Sequence, residues 1–547
     1  MNDTLTSGPG KSLLATLALV FLAAGSARAQ TNDAPPAGAA DAQPPAAPLP
    51  PAAVPPPPPP AAPLPPAAEP PPLAPVTNGA RSPDGAGPSE IPNGAGPNYE
   101  QTWFTRTPLK MSLGSGDQIW SITFFGTIEA DYITDTTRSY NEIVGRDIVA
   151  RSDTYEGTVG RTQFSMRNTR VGFLLDSPRV GVVSPSAVFQ GDFAGNQPGT
   201  PYVIPGVQVG STISENAYYS SPTFRIRHAY LSLKNPYVDI LAGHTFDVFG
   251  FQNYYLALSL LGLPNQVSTR TTQFRLSRTL GAGGPISVDI AASATRPAQR
   301  DSMVPDFMGG LRLCFNNWKG ITTPGNAVTI AAPLSVSVSG VTRQFKVNAF
   351  TPPPAQSSNT TTGWGLSADL FAPIIPAVNA YDRSNRLSLV GSFVIGTGIA
   401  DLISSGGGAR FPTLPNAMQY NPPPEYTADI DNGLVTFDFT GVVHTIDWYA
   451  LKGGLQYYLP GGGRFLLAGN FTYAHSNNLA KLYPMGGAEI ELLGAIANTS
   501  MSADGSLLWD ATPAVRFGVS GQYTQVTYLD GLKPHNVRAI GQAMYTF

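Results

Sequence analysis

The chain has 547 residues, of which 42% are hydrophobic and only 13% are charged, and its formal net charge is −3. No apolar run reaches the roughly 18 residues of a transmembrane helix, and the single cysteine, Cys314, excludes an internal disulfide. Basic patches interleaved with aromatic residues, which nucleic-acid binding requires, are also absent from the sequence.

Residues 1–29 are predicted to be a secretory signal peptide. Lys11 precedes the apolar run LLATLALVFLAA, and Ala27 and Ala29 occupy the small-residue positions of a cleavage site. The run is about twelve residues long, which is short of the roughly twenty that a membrane anchor needs. We therefore expect the mature protein to leave the cytoplasm.

Residues 30–114 are predicted to form a disordered, Pro/Ala-rich linker in the periplasm. The stretch from about residue 34 to 75 is nearly all proline and alanine and includes the proline run Pro55–Pro60. This composition cannot bury a core or pair as strands, and it adopts extended polyproline II structure. One interpretation is a passive spacer, and the other is a tether that contacts peptidoglycan.

Residues 115–547 are predicted to form an all-β, transmembrane antiparallel barrel. Segments of roughly ten alternating residues recur, separated in turn by tight turns and by long polar loops. An even number of strands places both barrel ends in the periplasm, and sixteen strands enclose an aqueous lumen. Fourteen and eighteen strands are the alternatives, because 318–345 and 373–386 are poorly bounded. The predicted strands are 118–134, 163–176, 180–193, 222–233, 237–247, 271–279, 285–295, 307–317, 327–341, 361–372, 387–399, 446–459, 464–474, 505–511, 514–528 and 536–547.

The last segment, VRAIGQAMYTF, alternates between small or apolar residues and polar residues such as Arg538 and Gln542. Such a strand separates lipid from water. Its aromatic end resembles the signal by which outer-membrane proteins are recognised by their assembly machinery. Tyr545 and Phe547 are therefore the predicted assembly signal. The predicted surroundings are the lipid and lipopolysaccharide of a Gram-negative outer membrane.

The stretches RNTRVGFLLDSP, FQGDFAGN and FRIRHAYLSLKNPYVDILAGHTFDVFG and the ending YTF resemble the DcaP-like outer-membrane porins. The resemblance is strongest over residues 118–315 and at the carboxy terminus. It implies a homotrimer of sixteen-stranded channels associated with uptake of dicarboxylates and other small anions. That family can carry an amino-terminal coiled coil, which the proline-rich segment of this chain cannot form.

Arginine side chains at lumen positions are candidates for binding small anionic solutes, because a guanidinium group can hold a carboxylate through two hydrogen bonds. Arg225 and Arg227 share the parity of apolar residues, so either a β-bulge turns them inward or they lie beyond the lipid band. A charge facing lipid costs about 2 to 4 kcal/mol, which favours the bulge. The alternative is structural pairing with acids on the same strands. The candidate pore-lining residues are Arg167, Arg170, Arg225, Arg227, Arg275, Arg312, Arg516 and Arg538.

The loop between Phe246 and Arg270 is too apolar to face solvent and is predicted to fold into the barrel as a constriction. The alternative is a contact between protomers. The candidate constriction residues are Asp247, Gln252, Asn253, Tyr254 and Tyr255.

A diffusion channel is the function that these patterns favour. A structural tether or adhesin is the alternative, favoured by the linker and the long loops. Only His444, Asp447 and His535 suggest an enzyme, and no serine or paired acid stands at a convincing spacing beside them. We predict no enzymatic activity, no cofactor and no metal site.

Overall fold

The computed structural model describes residues 109–115, 118–142, 148–195, 200–204, 207–212, 223–251, 262–267, 269–299, 302–323, 330–348, 358–377, 383–404, 430–431, 433–437, 442–482 and 496–547. The predicted signal peptide and most of the predicted linker lie outside these ranges. Within them, no helix is long and apolar enough to cross a membrane.

The regular secondary structure of the described chain is almost entirely strand. The exceptions are one-turn helices at Tyr155–Thr158 and Leu479–Leu482 and a 3-10 turn at Ala400–Leu402. The strands are β1 (Leu109–Leu113), β2 (Trp120–Asp135), β3 (Arg161–Ser165), β4 (Arg170–Asp176), β5 (Ser184–Asp192), β6 (Thr200–Ile204), β7 (Val207–Thr212), β8 (Arg225–Lys234), β9 (Asp239–Phe246), β10 (Arg270–Leu280), β11 (Ile286–Thr295), β12 (Asp306–Thr322), β13 (Ile330–Asn348), β14 (Ser358–Ile375), β15 (Arg386–Thr397), β16 (Val435–Phe437), β17 (Val443–Thr445), β18 (Asp447–Tyr458), β19 (Phe465–Ser476), β20 (Ala497–Asp510), β21 (Val515–Tyr528) and β22 (His535–Thr546).

One antiparallel sheet closes on itself to form the barrel. β3 and β4 pair with successive parts of β2, so together they occupy one strand position, and β22 pairs with the opposite edge of β2. The short hairpins β6–β7 and β16–β17 stand apart from this sheet. β1 pairs with the part of that same edge that β22 leaves free, so β1 and β22 also share one position. The eighteen strands of the sheet therefore occupy sixteen positions, which confirms the predicted fold class and strand count.

β1 is a strand within the range that the sequence assigned to the linker. It pairs with β2 from Leu113 opposite Trp120 to Leu109 opposite Phe124. The ladder between β22 and β2 ends where Phe547 pairs with the backbone of Gly126. The part of the same edge of β2 that precedes Gly126 is therefore free to pair with β1. Among the described residues, the barrel sheet thus begins at Leu109, within the range that the sequence assigned to the linker.

Several strands are longer than predicted. β20 starts at Ala497 rather than 505, and β13 continues to Asn348 rather than 341. The added stretches are rich in serine, threonine and other polar residues, so their outward face lacks the apolar alternation that marks a lipid-facing strand. Backbone pairing with the neighbouring strands, rather than hydrophobicity, holds them in the sheet.

The two faces of the wall differ as a membrane barrel requires. Along β22, Arg538 and Gln542 are buried on the inner side, whereas Tyr545 on the outer side is 47% exposed. Rings stack on the outer surface near both ends, as in the rows Phe465–Trp509–Phe517 and Tyr449–Tyr473–His475. Such rings suit the membrane–water interfaces, as the sequence predicts.

Candidate functional site

The loop that follows β9 turns into the barrel. Val248 and Phe251 lie against Gly310 of β12, and Phe249 lies 3.0 Å from the Cβ position of Gly365 in β14. Both glycines occupy inward positions between exposed outward residues. The described start of this loop therefore folds inward, as its apolar sequence predicts. Gln252, Asn253, Tyr254 and Tyr255 lie outside the described residues.

The end of the same loop reaches the far wall. Asn265 donates from Nδ2 to the carbonyl of Ser500 in β20 at 3.2 Å, and Gln522 of β21 donates to the carbonyl of Gly262 at 3.3 Å. The loop after β15 meets it there, because Asn265 N donates to the Ser404 carbonyl at 2.8 Å and Ser404 N donates to that of Gln266 at 2.9 Å. The two loops thus bind each other inside the barrel.

A hydrophobic cluster joins these two loops to one side of the barrel. Its loop members include Val248, Phe249, Ile399 and Leu402, and its wall members come from strands between β11 and β21. Among the described residues, no member comes from a strand between β2 and β10, although Tyr140, Ile148 and Val149 of the loop after β2 belong to the cluster. The loop after β2 therefore joins the other two loops in this cluster.

Arg343 of β13 fixes the loop after β15 to the wall. Its buried guanidinium donates to Asp306 at 2.6 and 3.0 Å, to Asp401 at 2.5 and 3.1 Å, and to the Gly398 carbonyl at 3.0 Å. Asp306 begins β12, whereas Asp401 belongs to the loop. One cation thus holds two carboxylates, so it couples the position of the loop to the wall. We call this arrangement the Arg343 clamp.

Asp247, a predicted constriction residue, lies at the base of the inward loop. Thr269 donates to its Oδ2 at 2.7 Å, and Thr271 donates to its Oδ1. Burial and, to a smaller extent, the nearby Asp401 raise the pKa of Asp247 to about 6, although the two threonine hydroxyls and Arg343 lower it. The carboxyl group therefore closes the base of the loop best when it is protonated.

We expect the docked loop to lose stability as the pH rises. The pKa of Asp247 is about 6 in the docked loop and about 3.9 when solvated. Docking is then most favourable below about pH 4 and weakens as the pH rises through about 6, by roughly 3 kcal/mol in all. Single-channel conductance should rise between about pH 5 and pH 8, and Asp247→Asn should remove the rise. A pH-independent wild type would contradict this account.

Four of the eight candidate arginines are bound to acids as structural pairs. All four guanidinium groups are buried. The partners of Arg312, Arg516 and Arg538 lie on the wall, whereas Glu142, the partner of Arg167, lies in the loop after β2. For these residues the structure shows the structural-pairing alternative. The pairs are Arg167–Glu142 at 3.0 Å, Arg312–Asp289 at 2.5 Å, Arg516–Asp510 at 2.6 Å and Arg538–Asp135 at 2.7 Å. Arg275 is also buried, at an inward position of β10.

Arg225 and Arg227 share one carboxylate. Arg225 donates to both oxygens of Asp192 at 2.9 and 2.6 Å, and Arg227 donates to Oδ2 at 2.8 Å. The ladder between β5 and β8 shifts at Gln190 and Gly191, which is the bulge that the parity of the two arginines predicts. The shift lets both arginines reach an acid on the inner face.

Arg170 stands on the other side of the same acid. Arg170 of β4 pairs in register with Asp192 of β5 and with the inward Thr127 of β2. Its side chain is therefore on the inner face of the wall with theirs. Among the described residues it makes no ion pair, and its Nε is buried without a hydrogen-bond partner. Arg270, which the sequence reading missed, interacts electrostatically with Arg170, Arg225 and Asp192.

These four arginines and Asp192 are called the Asp192 cluster. Arg170, Arg225, Arg227 and Arg270 stand around one carboxylate, whereas Arg167, Arg312 and Arg538 each pair with a carboxylate of their own. Asp131 and Asp247 interact electrostatically with Arg170 and Arg270, and the four arginines still outnumber these two acids and Asp192 together. The cluster also contains the more accessible side chains, since Arg225 is 36% and Arg227 12% exposed, against 9% or less for Arg167, Arg312, Arg516 and Arg538. It lies on strands that contribute no side chain to the loop cluster.

The described part of the chain contains no group of three or more His, Cys, Asp or Glu side chains arranged to hold a metal ion.

A closed sixteen-stranded wall, apolar outside and polar inside and narrowed by inward loops, defines an outer-membrane β-barrel of the porin type. No family profile matches the sequence, and the curated proteins give no match either. Among solved structures, the chain is similar to the outer membrane channel DcaP of Acinetobacter baumannii, with a TM-score of 0.52, 14% identity, and coverage of 80% of this chain and 99% of that chain.

Two other solved structures match less well. The chain is similar to an anion-selective porin from Comamonas acidovorans, with a TM-score of 0.40, 10% identity, and coverage of 78% of this chain and 100% of that one. The chain is also similar to OmpT, an outer membrane protein of Vibrio cholerae, with a TM-score of 0.40, 9% identity, and coverage of 80% of this chain and 99% of that one. What is shared at these identities is the fold, and for DcaP that agrees with the resemblance seen in the sequence.

Proposed function

We propose that the protein is a porin, a water-filled channel through which small hydrophilic solutes enter passively, with a preference for anions such as dicarboxylates. The observation that carries the proposal is the excess of guanidinium groups in the Asp192 cluster. The DcaP outer membrane channel has the same fold, which supports the general channel function.

The position of the cluster supports anion preference. Arg170 and Arg225 face the inside of the barrel, where solutes pass. A cleft with low-dielectric walls and charge of one sign concentrates counter-ions. Guanidinium groups in contact with water bind a carboxylate strongly enough for entry and weakly enough for release.

The sequence predictions that concern assembly are part of the same proposal. Tyr545 and Phe547 serve as the assembly signal, three copies form the channel, and the linker spaces the barrel from peptidoglycan. Phe547 also has a structural part, because its N–H and carbonyl pair with the backbone of Gly126 at 3.1 Å each.

The decisive test is ion selectivity in planar bilayers. The reversal potential of the wild type in a salt gradient should report anion preference, which should shrink at 1 M salt, where the Debye length is roughly 3 Å. The double variant R170Q/R225Q keeps the Arg227–Asp192 pair, so Asp192 stays compensated. It should lower the anion-to-cation permeability ratio by about three- to tenfold and weaken transient block by succinate.

Arg386, a half-buried arginine at the start of β15 outside the cluster, provides the control. The variant R386Q should change the selectivity little. Cation preference in the wild type, or equal selectivity in wild type and R170Q/R225Q, would refute the proposed anion path.

A further inference from the structure

A second carboxylate is shared by two arginines at the opposite end of the barrel. Arg516 of β21 donates from Nε to Oδ1 of Asp510 at 2.6 Å and from Nη2 to Oδ2 at 3.2 Å. Arg383, in the connection between β14 and β15, donates from its Nη2 to the same Oδ2. Asp510 is therefore shared in the way that Asp192 is, and we call Arg383, Asp510 and Arg516 the Asp510 cluster.

The Asp510 cluster lies at the periplasmic mouth of the channel. Its side chains belong to or adjoin two short connections, 376–385 between β14 and β15 and 511–514 between β20 and β21. Short connections mark the periplasmic end of an outer-membrane barrel. Asp192, by contrast, is the last of the nine residues of β5, so it lies about 26 Å along the strand from the periplasmic end. The two clusters therefore occupy different depths of the channel.

The strand registers place the acid and its strand partner on the inner face. Asp510 pairs with Arg516, and Arg516 pairs with Met544, which is only 5% exposed. The adjacent residues Trp509 and Phe517 have the other parity, and each is 43% exposed on the outer surface. The charged groups of Asp510 and Arg516 therefore face the lumen rather than the lipid.

Arg383 reaches this acid by passing over a neighbouring turn. Its guanidinium lies over the ring of Tyr458 in β18, 5.4 Å from the ring centroid. Its backbone is so close to Gly463, in the turn between β18 and β19, that a Cβ on that glycine would stand 2.7 Å from the Arg383 carbonyl oxygen. Gly463 also has a φ of +62°, which favours glycine. The chain thus brings a positive charge to Asp510 from a separate connection.

Solvent reaches the Asp510 cluster. The side chain of Arg383 is 23% exposed and that of Asp510 is 14% exposed, whereas Arg227 in the Asp192 cluster is 12% exposed. Within the described residues, two guanidinium groups stand against one carboxylate, and the side-chain hydrogen bond of Arg383 is made by Nη2 alone. Positive charge therefore exceeds negative charge at a place that water contacts.

We propose that the Asp510 cluster is a second anion site, which holds a carboxylate at the periplasmic mouth after it has left the Asp192 cluster. The solute binds the guanidinium of Arg383 through charge-assisted hydrogen bonds, and Arg516 adds a second positive charge. Asp510 competes with the solute for both arginines, which keeps binding weak enough for release. This inference rests on the proposed anion channel and adds a binding site at its exit.

The test is block of chloride current by succinate, added to one side at a time of planar bilayers that contain the full-length protein. R383Q keeps the Arg516–Asp510 pair, so it removes one positive charge without leaving the acid unpaired. It should weaken block from the periplasmic side about three- to tenfold and change block from the extracellular side by less than about twofold. R170Q/R225Q should show the opposite dependence on side.

Asp510→Asn supplies a change of opposite sign, because it frees both guanidinium groups from their internal acid. It should strengthen block from the periplasmic side about threefold, although it lowers the stability of the barrel. R179Q is the matched control, because Arg179 is an exposed arginine in the short connection between β4 and β5 at the same end of the barrel. It should leave block from both sides at the wild-type value.

Periplasmic-side block that neither R383Q nor D510N changes, in an anion-selective channel, would overturn the inference and leave the porin proposal intact. An R383Q channel that conducts more than the wild type but keeps its succinate block would show that Arg383 only ties down the connection between β14 and β15, and would also overturn the inference. Cation preference in the wild type would instead refute the proposed function, together with the exit site that rests on it.

Discussion

Replacing Arg343 with glutamine should increase single-channel conductance and lower the thermal stability of the barrel. The clamp holds Asp306 and Asp401 on one guanidinium, and Asp247 is close enough to interact with both Arg343 and Asp401. Without the cation, buried carboxylates face each other, and breaking such a pair typically costs about 3 to 5 kcal/mol. Because Asp401 belongs to the loop, moving that loop outward relieves the repulsion. Conductance in planar bilayers and a thermal melt in detergent measure the two effects.

Arg167→Gln separates lost stability from a widened pore. Arg167 is also buried and paired, with Glu142 at 3.0 Å and the carbonyl of Gly195 at 2.5 Å, and neither of these partners belongs to the loop after β9 or to the loop after β15. It should lower the melting temperature and leave the conductance close to that of the wild type. If R343Q melts earlier but conducts like the wild type, the hydrophobic cluster alone keeps the loops in place, and the clamp is not what holds the pore narrow.

The barrel was predictable because its two faces meet different solvents. Period-two alternation is forced on every strand between lipid and water, so strands such as β21 and β22 are visible in the sequence within a residue or two. The same logic predicted the bulge at Arg225 and Arg227, since two charges on the lipid face are too costly. The inward fold of the loop after β9 was predictable for a related reason, because its sequence is too apolar to face solvent.

The partners of the arginines were not predictable from parity. Alternation shows that Arg312, Arg516 and Arg538 face inward, but not that Asp289, Asp510 and Asp135 stand beside them, because cross-strand partners depend on register. Arg343 and Arg270 were missed because the clamp and the cluster unite elements that are distant in the chain. β1 was missed since its five residues are too short to show a period.

The largest loss of stability is expected from Asp135→Asn, at the seam where β22 closes the barrel against β2. Asp135 and Arg538 are opposite each other in the closing ladder, and both side chains are 0% exposed. Arg538 donates to the two carboxylate oxygens at 2.7 and 2.8 Å and to the carbonyl of Asn141 at 2.7 Å. Neutralising the acid leaves a buried guanidinium without its counter-charge, at a cost of about 3 to 5 kcal/mol.

The Asp135–Arg538 pair lies where the barrel closes, so its loss should affect the rate of folding as well as stability. β2 and β22 are far apart in the sequence, so no short turn brings them together, whereas β20 and β21, which the Asp510–Arg516 pair joins, are consecutive. Asp135→Asn should therefore lower the urea midpoint and slow the formation of the heat-modifiable folded band, while Asp510→Asn should mainly lower the midpoint. The double variant D135L/R538M removes both charges together and should recover much of the lost stability. If D135N folds at the wild-type rate and unfolds at the wild-type urea concentration, the pair contributes nothing to closure, and the backbone ladder that ends at Phe547 is what holds the seam.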